Sequence, residues 1–182
     1  MGWTMFFIPG VKKTASKVPF ILAVIMLTML LISCSSKKER KPEQGEIKIH
    51  LIADKDINPN EDGHPAPLNL FIYNVREVDV FSNADFFEII EGTSKALQSA
   101  SSEIYEAILK PGEKRTIFLK PENDVQTLGI VGAYRNLNDS VWLITWALPK
   151  TPRSWWGRIF SDDGIELNVN FKKTAMIIKK MD

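Results

Sequence analysis

The chain has 182 residues, a formal net charge of +1 and 45% hydrophobic residues. This near-neutral balance gives no electrostatic footprint for nucleic acid, so a nucleic-acid partner is not expected. Once an N-terminal signal segment is set aside, the remaining length suits one ordinary domain rather than several.

The first 33 residues have the layout of a secretory signal. Lys12, Lys13 and Lys17 form a positive segment, and the apolar run Val18–Ile32 follows it. This run has about 15 residues, whereas a membrane-spanning helix needs about 20. A positive segment, a short apolar run and a small residue after it predict a cleaved signal peptide over residues 1–33.

Cys34 is the only cysteine and ends the stretch "LISC" directly after that apolar run. The stretch resembles the lipobox of bacterial lipoproteins, in which a diacylglyceryl group is added to the cysteine thiol. An unpaired thiol in an oxidising periplasm is otherwise a liability, which favours lipidation over an ordinary buried thiol. Several acyl chains on Cys34 would hold the protein stably on a bilayer. By analogy with lipoprotein sorting in Gram-negative bacteria, Ser35 rather than Asp after the cysteine predicts the outer membrane.

Residues 34–46 are predicted to form a lipidated, flexible tether. The stretch "SSKKERKPEQGE" from Ser35 to Glu46 is polar and charged and contains no apolar residue. Such a composition cannot bury surface and remains solvated. The folded domain is therefore predicted over residues 47–182.

Beyond the tether, short apolar or alternating runs rich in β-branched and aromatic residues are separated by turn residues. Pro111-Gly112 is a turn signal, and it predicts that the runs on its two sides pair as a hairpin. Gly129 and Gly132 predict a bulge or a close backbone approach within one run. Eight strands are predicted, at Ile47–Ala53, Leu68–Val75, Glu103–Lys110, Lys114–Lys120, Val125–Arg135, Val141–Leu148, Ile165–Phe171 and Thr174–Lys180.

One helix is predicted after the second strand, in the stretch "FSNADFFEIIEG". Ser82 is expected to cap it in a capping-box arrangement with Asp85, and Gly92 is expected to end it. Phe87 and Ile90, three residues apart, are expected to face the core. Eight strands with one inserted helix predict an all-β fold, an antiparallel two-sheet β-sandwich.

The loop "ADKDINPNEDGHPAP", Ala53–Pro67, is the stretch of the chain richest in metal-ligand types. Asp54, Asp56 and Asn58 match the first, third and fifth positions of an EF-hand calcium loop. Pro59 and Pro65, however, stand where that loop needs its Gly and its bidentate Glu. A looser calcium site of Asp54, Asp56, Asp62 and carbonyl groups stays open as an alternative.

Other chemistry has little support in the sequence. The only histidines are His50 and His64, and they lack a zinc-site spacing. Nucleophile and phosphate-loop motifs are absent from the sequence, so neither an enzyme nor a small-molecule substrate is expected. The stretch "RSWWGRIF", Arg153–Phe160, is expected to fold its indole rings over the end of the sandwich, with an interface or membrane-surface role as the alternative.

Several of these features, taken in order, are similar to the TssJ (SciN/VasD-like) family of type VI secretion outer-membrane lipoproteins. The resemblance spans nearly all of the chain after the signal segment. It lies in the lipobox Cys34, the first strand ending near Ala53, Asn58-Pro59, Pro67, Tyr73, Phe81, the "ADFF" of Ala84–Phe87, Pro111-Gly112, the "GIVGAYR" of Gly129–Arg135, and Trp142.

The resemblance implies a transthyretin-like β-sandwich of two four-stranded sheets with added helical elements, without catalysis and without a cofactor. It implies anchoring of the trans-envelope complex through binding to the periplasmic part of the inner-membrane protein TssM, which works with TssL. In the family the loop between the first two strands takes part in that contact, and here it is Lys55–Ala66. The residues expected to bind the partner are Asp56, Ile57, Asn58, Pro59, Asn60, Glu61, Asp62, Gly63 and His64.

Two functional hypotheses follow from the sequence. The first is a non-catalytic lipoprotein that is held in the outer membrane by Cys34 and contributes to the type VI membrane complex. The alternative is a calcium- or ligand-binding periplasmic lipoprotein of the same sandwich fold, which would use the same acidic loop. Pro59 and Pro65 favour the first, because they stiffen the loop and so reduce the entropy that it loses on docking a partner.

Overall fold

The computed structural model describes residues 40–43, 45–149 and 165–181. Cys34, the predicted signal segment and the Trp155–Trp156 stretch lie outside these residues. In the described part, eight strands form two four-stranded sheets. They are β1 Ile47–Ala53, β2 Leu68–Val75, β3 Ser101–Leu109, β4 Lys114–Leu119, β5 Thr127–Gly132, β6 Leu143–Ala147, β7 Ile165–Phe171 and β8 Met176–Lys180.

The strand order is β4-β1-β7-β8 in the first sheet and β3-β2-β5-β6 in the second. All strand pairs are antiparallel except β1 with β7, which is parallel. Alternate residues of facing strands, such as Ile49 and Leu51 of β1 and Leu70 and Ile72 of β2, are fully buried in one core between the sheets. The predicted two-sheet β-sandwich is therefore confirmed, with one parallel pair in an otherwise antiparallel fold.

Three short helices follow β2 within the described residues, where the sequence predicted one: α1 Val78–Asn83, α2 Phe86–Glu91 and α3 Lys95–Ala100. They pack on the outer face of the β3-β2-β5-β6 sheet, where Phe81, Ile89 and Leu97 bury against Tyr73 and Val131. Strand β2 is thus covered on both faces, which explains why "LNLFIYNV" is almost continuously apolar. None of the helices in the described part is long and apolar enough to cross a membrane.

The predicted helix cap was wrong in its position. Asp85, rather than Ser82, is the N-cap of α2, and its carboxylate accepts a hydrogen bond from the Glu88 backbone N–H at 2.8 Å. Ser82 lies inside α1, so the break between the two helices falls after Asn83. Gly92 ends α2 in the left-handed conformation at φ 58°, as predicted.

The predicted core face of this helix was wrong for Phe87. Its side chain is 61% exposed, whereas Ile89 is buried and Ile90 packs at the margin of the helix-covered core. The cap lies three residues later than predicted, at Asp85 rather than Ser82. Phe87 and Ile89 are about 200° apart around α2, at about 100° per residue, so only one of them faces the sheet. A helix that starts at Phe86 directs Ile89 rather than Phe87 toward the sheet.

The predicted hairpin around Pro111-Gly112 was also wrong. β3 pairs with β2 and β4 pairs with β1, so the two strands lie in different sheets. The turn therefore carries the chain from one sheet to the other, with Gly112 at φ 75° and its N–H donating to the Asp54 carbonyl at 3.1 Å. A turn signal indicates a reversal of the chain, but not which strand receives its hydrogen bonds.

The last residues of the predicted tether contact the first sheet. The guanidinium of Arg40 lies over the Phe118 ring, 4.5 Å from its centroid, and its Nη2 is 2.7 Å from Glu46 Oε2. The Glu46 carboxylate accepts hydrogen bonds from the Glu43 backbone N–H and from Arg40. These bonds lower the pKa of the Glu46 carboxyl group, and the bond from the Glu43 backbone has the larger effect. Arg40 therefore lies against β4, and the chain then enters β1 at Ile47.

Candidate functional site

The loop between β1 and β2, residues 54–67, is fixed at its base by two buried residues. Ile57 is fully buried in the core between the sheets, and Asn58 is 4% exposed. The Asn58 backbone N–H donates to the Lys173 carbonyl at 3.1 Å, and the Ala66 N–H donates to the Ile57 carbonyl at 3.2 Å. The base of the loop therefore belongs to the core rather than to the surface.

The Asn58 side chain joins both ends of the loop to the neighbouring connection. Its Nδ2 donates to the Pro67 carbonyl at 2.7 Å, and its Oδ1 accepts from the Arg135 backbone N–H at 2.8 Å. Asn58 has φ 47°, a left-handed conformation that asparagine tolerates better than most residues. Position 58 therefore needs both an amide side chain and tolerance of positive φ.

The tip of the loop is a tight turn over Asn60–His64. The Asn60 N–H donates to the His64 carbonyl at 2.9 Å, and the Gly63 N–H donates to the Asn60 carbonyl at 2.9 Å. The Asn60 Oδ1 in turn accepts from the His64 N–H at 2.8 Å. The side chains of Glu61 and Asp62 are exposed on this turn. The tip thus holds its charged groups outward on a hydrogen-bonded backbone.

Two further connections lie against the loop at this end of the sandwich. Tyr134 is buried, and its hydroxyl donates toward the carbonyls of Lys172 at 3.2 Å and Ala175 at 3.0 Å. Burial raises the pKa of Tyr134 above its ordinary value, so it stays a neutral donor. A groove of about 760 Å³ lies between the loop and these connections, lined by Asn58, Pro59, Asn60, Glu61, Asp62, Tyr134, Arg135, Asn136, Lys173 and Thr174.

The arrangement of the acidic residues does not favour the calcium alternative. Asp54 Oδ2 lies 3.0 Å from Lys172 Nζ, so this carboxylate is already paired with a cation. Among the described residues, no group of three or more His, Cys, Asp or Glu side chains is placed to hold a metal ion. Asp56 and Asp62 are both exposed on the loop.

The structure divides the predicted partner-binding residues into three groups by their burial. Ile57 and Asn58 are buried, so their side chains hold the loop and do not face a partner. Pro59 and Asn60 are half-buried beside the groove. The exposed residues are Asp56, Glu61, Asp62, Gly63 and His64. Arg135 and Lys173 also line the groove, although no pattern in the sequence assigned them to it.

The comparisons with known proteins identify the family. The model of the type VI secretion lipoproteins, which names VasD, EvfM and TssJ, matches residues 45–173. The chain belongs to this family. The type VI secretion lipoproteins are a structural component rather than a known enzyme family, and the comparison with curated proteins finds no match.

Solved structures agree with this membership. The chain is 26% identical to the type VI secretion lipoprotein TssJ1 from Pseudomonas aeruginosa, with a TM-score of 0.65 over 75% of this chain and 96% of that one. It is 22% identical to Lip from Serratia marcescens, a membrane-bound component of the type VI secretion system, with a TM-score of 0.66 over 76% and 99%. A chain of a type VI membrane complex shares the fold at 15% identity, with a TM-score of 0.57 over 76% and 98%.

Proposed function

We propose that this protein is the lipid-anchored, outer-membrane component of the type VI secretion membrane complex, facing the periplasm and without a catalytic role. Cys34 carries the lipid in this proposal. The exposed part of the β1–β2 loop binds the periplasmic part of TssM, which assembles with TssL. Membership of the type VI secretion lipoprotein family supports this reading.

The observation that carries the proposal is the contrast between the base and the tip of the loop. Ile57 and Asn58 fix the base in the core, while Glu61, Asp62 and His64 are exposed on a hydrogen-bonded turn. A loop that is already ordered loses little conformational entropy when a partner binds it. The exposed tip can therefore serve as a binding surface without refolding.

The position of the loop on the sandwich also suits a trans-envelope contact. The chain from the proposed anchor enters β1 at Ile47, and the loop begins where β1 ends at Ala53. A strand of seven residues spans about 20 Å at about 3.3 Å per residue. The loop therefore lies at the end of the sandwich away from the tether, where a partner from the inner membrane can reach it.

A binding measurement with matched variants tests this proposal. The full-length lipoprotein is immobilised in detergent, and the periplasmic part of TssM is passed over it. Replacing Glu61, Asp62 and His64 together by Ala is expected to weaken binding at least about tenfold, as the loss of interface hot spots does. The matched control is Glu103→Ala with Glu106→Ala, two exposed acids on β3. Equal affinity of the triple variant and the control, with both folded, would refute the loop assignment.

A further inference from the structure

The groove beside the loop tip has two charged sides. Glu61 and Asp62 lie on the side formed by the loop, and Arg135 and Lys173 lie on the other side. Both of these cations are exposed, and among the described residues neither side chain has a hydrogen-bond or ion-pair partner. The next residue, Lys172, is instead paired with Asp54. The groove thus offers two cations that form no ion pair with the described residues.

A row of aromatic rings reaches the surface near the same end of the sandwich. The Phe86 ring meets the Trp142 ring edge-on at 5.5 Å and the Phe87 ring edge-on at 5.3 Å. Phe87 is 61% exposed, and Val141, next to Trp142 in the chain, is 51% exposed. An exposed aromatic residue supported by packed neighbours provides a large, rigid contact area at low entropic cost, as interface anchors do.

Backbone hydrogen bonds connect the groove to the aromatic row. The Val141 N–H donates to the Thr174 carbonyl at 2.9 Å, and Asn58 at the loop base donates to the Lys173 carbonyl at 3.1 Å. The segment Lys173–Thr174 therefore has the loop on one side and Val141, the neighbour of Trp142 in the chain, on the other. Arg135, Lys173, Val141 and Phe87 are together named the lateral surface, and its two cations line the groove beside the loop tip.

We propose that the lateral surface receives a second segment of the partner that contacts the loop tip, a segment with an acidic side chain and a large apolar side chain. The acidic group binds Arg135 and Lys173, and the apolar group packs on Val141 and Phe87. This inference rests on the proposed function and extends the same interface. A second copy of this chain is the alternative occupant, and light scattering of the free lipoprotein tests it.

Charge reversal tests the cationic half of the lateral surface. The variant Arg135→Glu with Lys173→Glu is compared with Lys114→Glu with Lys179→Glu, two exposed lysines on β4 and β8 that do not line the groove. Both variants change the net charge equally, so a general electrostatic effect appears in both. The lateral variant alone is expected to weaken binding of the TssM periplasmic part about tenfold or more and to reduce its dependence on salt. If the charge-reversed variant Arg135→Glu with Lys173→Glu does not fold, Arg135→Gln with Lys173→Gln removes the two charges without reversing them.

Removal of the exposed ring tests the apolar half. Phe87→Ser is compared with Ile108→Ser, whose side chain is 57% exposed on β3. Both substitutions remove a similarly exposed apolar group, and both are expected to leave the fold intact. Phe87→Ser is expected to weaken binding about five- to tenfold, and Ile108→Ser is expected to leave it unchanged.

The set of variants separates this inference from the proposed function. If the loop-tip variant weakens binding while both lateral variants behave as their controls, the lateral surface is refuted and the loop assignment stands. If the lateral variants weaken binding and the tip variant does not, the lateral surface is supported and the loop assignment fails. Light scattering of the free lipoprotein gives a further outcome: a dimer that Phe87→Ser dissociates would assign this surface to self-association and overturn the inference.

Discussion

The Oδ1 atom of Asn58 accepts a hydrogen bond from the Arg135 backbone N–H at 2.8 Å, across a sequence separation of 77 residues. The same side chain donates through Nδ2 to the Pro67 carbonyl at 2.7 Å. One buried amide therefore holds together the two ends of the β1–β2 loop and the connection that follows β5. The proposed binding surface depends on this residue although its side chain is 4% exposed.

Asn58→Ala is expected to destabilise the domain by about 3 kcal/mol, because it leaves the Pro67 carbonyl and the Arg135 N–H without their side-chain partner and removes the polar side chain through which asparagine tolerates positive φ. Asn58→Gly loses the same hydrogen bonds but tolerates φ 47° and is expected to cost less. Urea unfolding of the two variants and the parent chain measures both effects. Stability within about 0.5 kcal/mol of the parent for Asn58→Ala would show that the amide does not hold the loop.

Gly129 is expected to resist substitution because the Phe81 ring occupies the space beside it. A β-carbon at position 129 would lie 2.4 Å from Phe81 Cε1, closer than any real contact. Gly129→Ala is expected to destabilise the domain by about 1 to 3 kcal/mol through overpacking. Phe81→Leu in the same chain is expected to recover part of this loss, and a double-mutant cycle of unfolding free energies measures the coupling. Additive effects of the two changes would contradict the packing account.

Glu166 is expected to make stability depend on pH. Its carboxylate contacts His50 and lies 2.8 Å from Lys48 Nζ, and hydrogen bonds from His50 first and Lys48 second lower its pKa below the ordinary 4.5. A depressed pKa stabilises the fold above the ordinary value, and this contribution is lost as the pH falls through the folded value.

When the pH falls from neutral to about pH 3, the free energy of unfolding should therefore decrease less in Glu166→Gln than in the parent chain. Thermal unfolding across that range measures the difference. Glu61→Gln on the exposed loop tip is the matched control and is expected to follow the parent chain. Parallel curves for Glu166→Gln and the parent would show that the ion pairs of Glu166 do not contribute.

Lipid anchoring predicts two distinct effects on localisation. Cys34→Ser is expected to prevent acylation and to leave the protein unprocessed, as mass spectrometry and membrane fractionation would show. Ser35→Asp is expected to keep the lipid but to move the protein from outer-membrane to inner-membrane fractions on a sucrose gradient. Membrane association that is unchanged in Cys34→Ser, with no lipid on the parent protein, would contradict the anchor.

The strands that the sequence predicted best are those with a strong burial pattern. Ile47–Ala53, Leu68–Val75 and Ile165–Phe171 match the structure at both ends, because one face or both faces of each strand are buried. Pairing was harder to predict, since the turn at Pro111-Gly112 leads equally well to a hairpin or to a crossing between sheets. That choice depends on contacts with strands far away in the sequence.

The position of the β1–β2 loop could be predicted from the sequence, but the contacts that hold it could not. The position of the loop followed from two clear strands on either side of it. Ile57 is an apolar residue in a polar loop, and this pattern could have indicated that it anchors the loop in the core. No local pattern indicated that Asn58 binds Arg135 or that Lys173 lines the same groove, because these contacts form only when distant segments meet.

Photo-crosslinking in cells tests the central claim most directly. A photoreactive amino acid is placed at position 61 on the loop tip and, in a control, at position 103 on β3, in the full-length lipoprotein. We predict a crosslinked product that contains TssM from position 61 and little or none from position 103. A TssM product from position 103 and none from position 61, at equal expression, would contradict the assignment of the loop as the binding site.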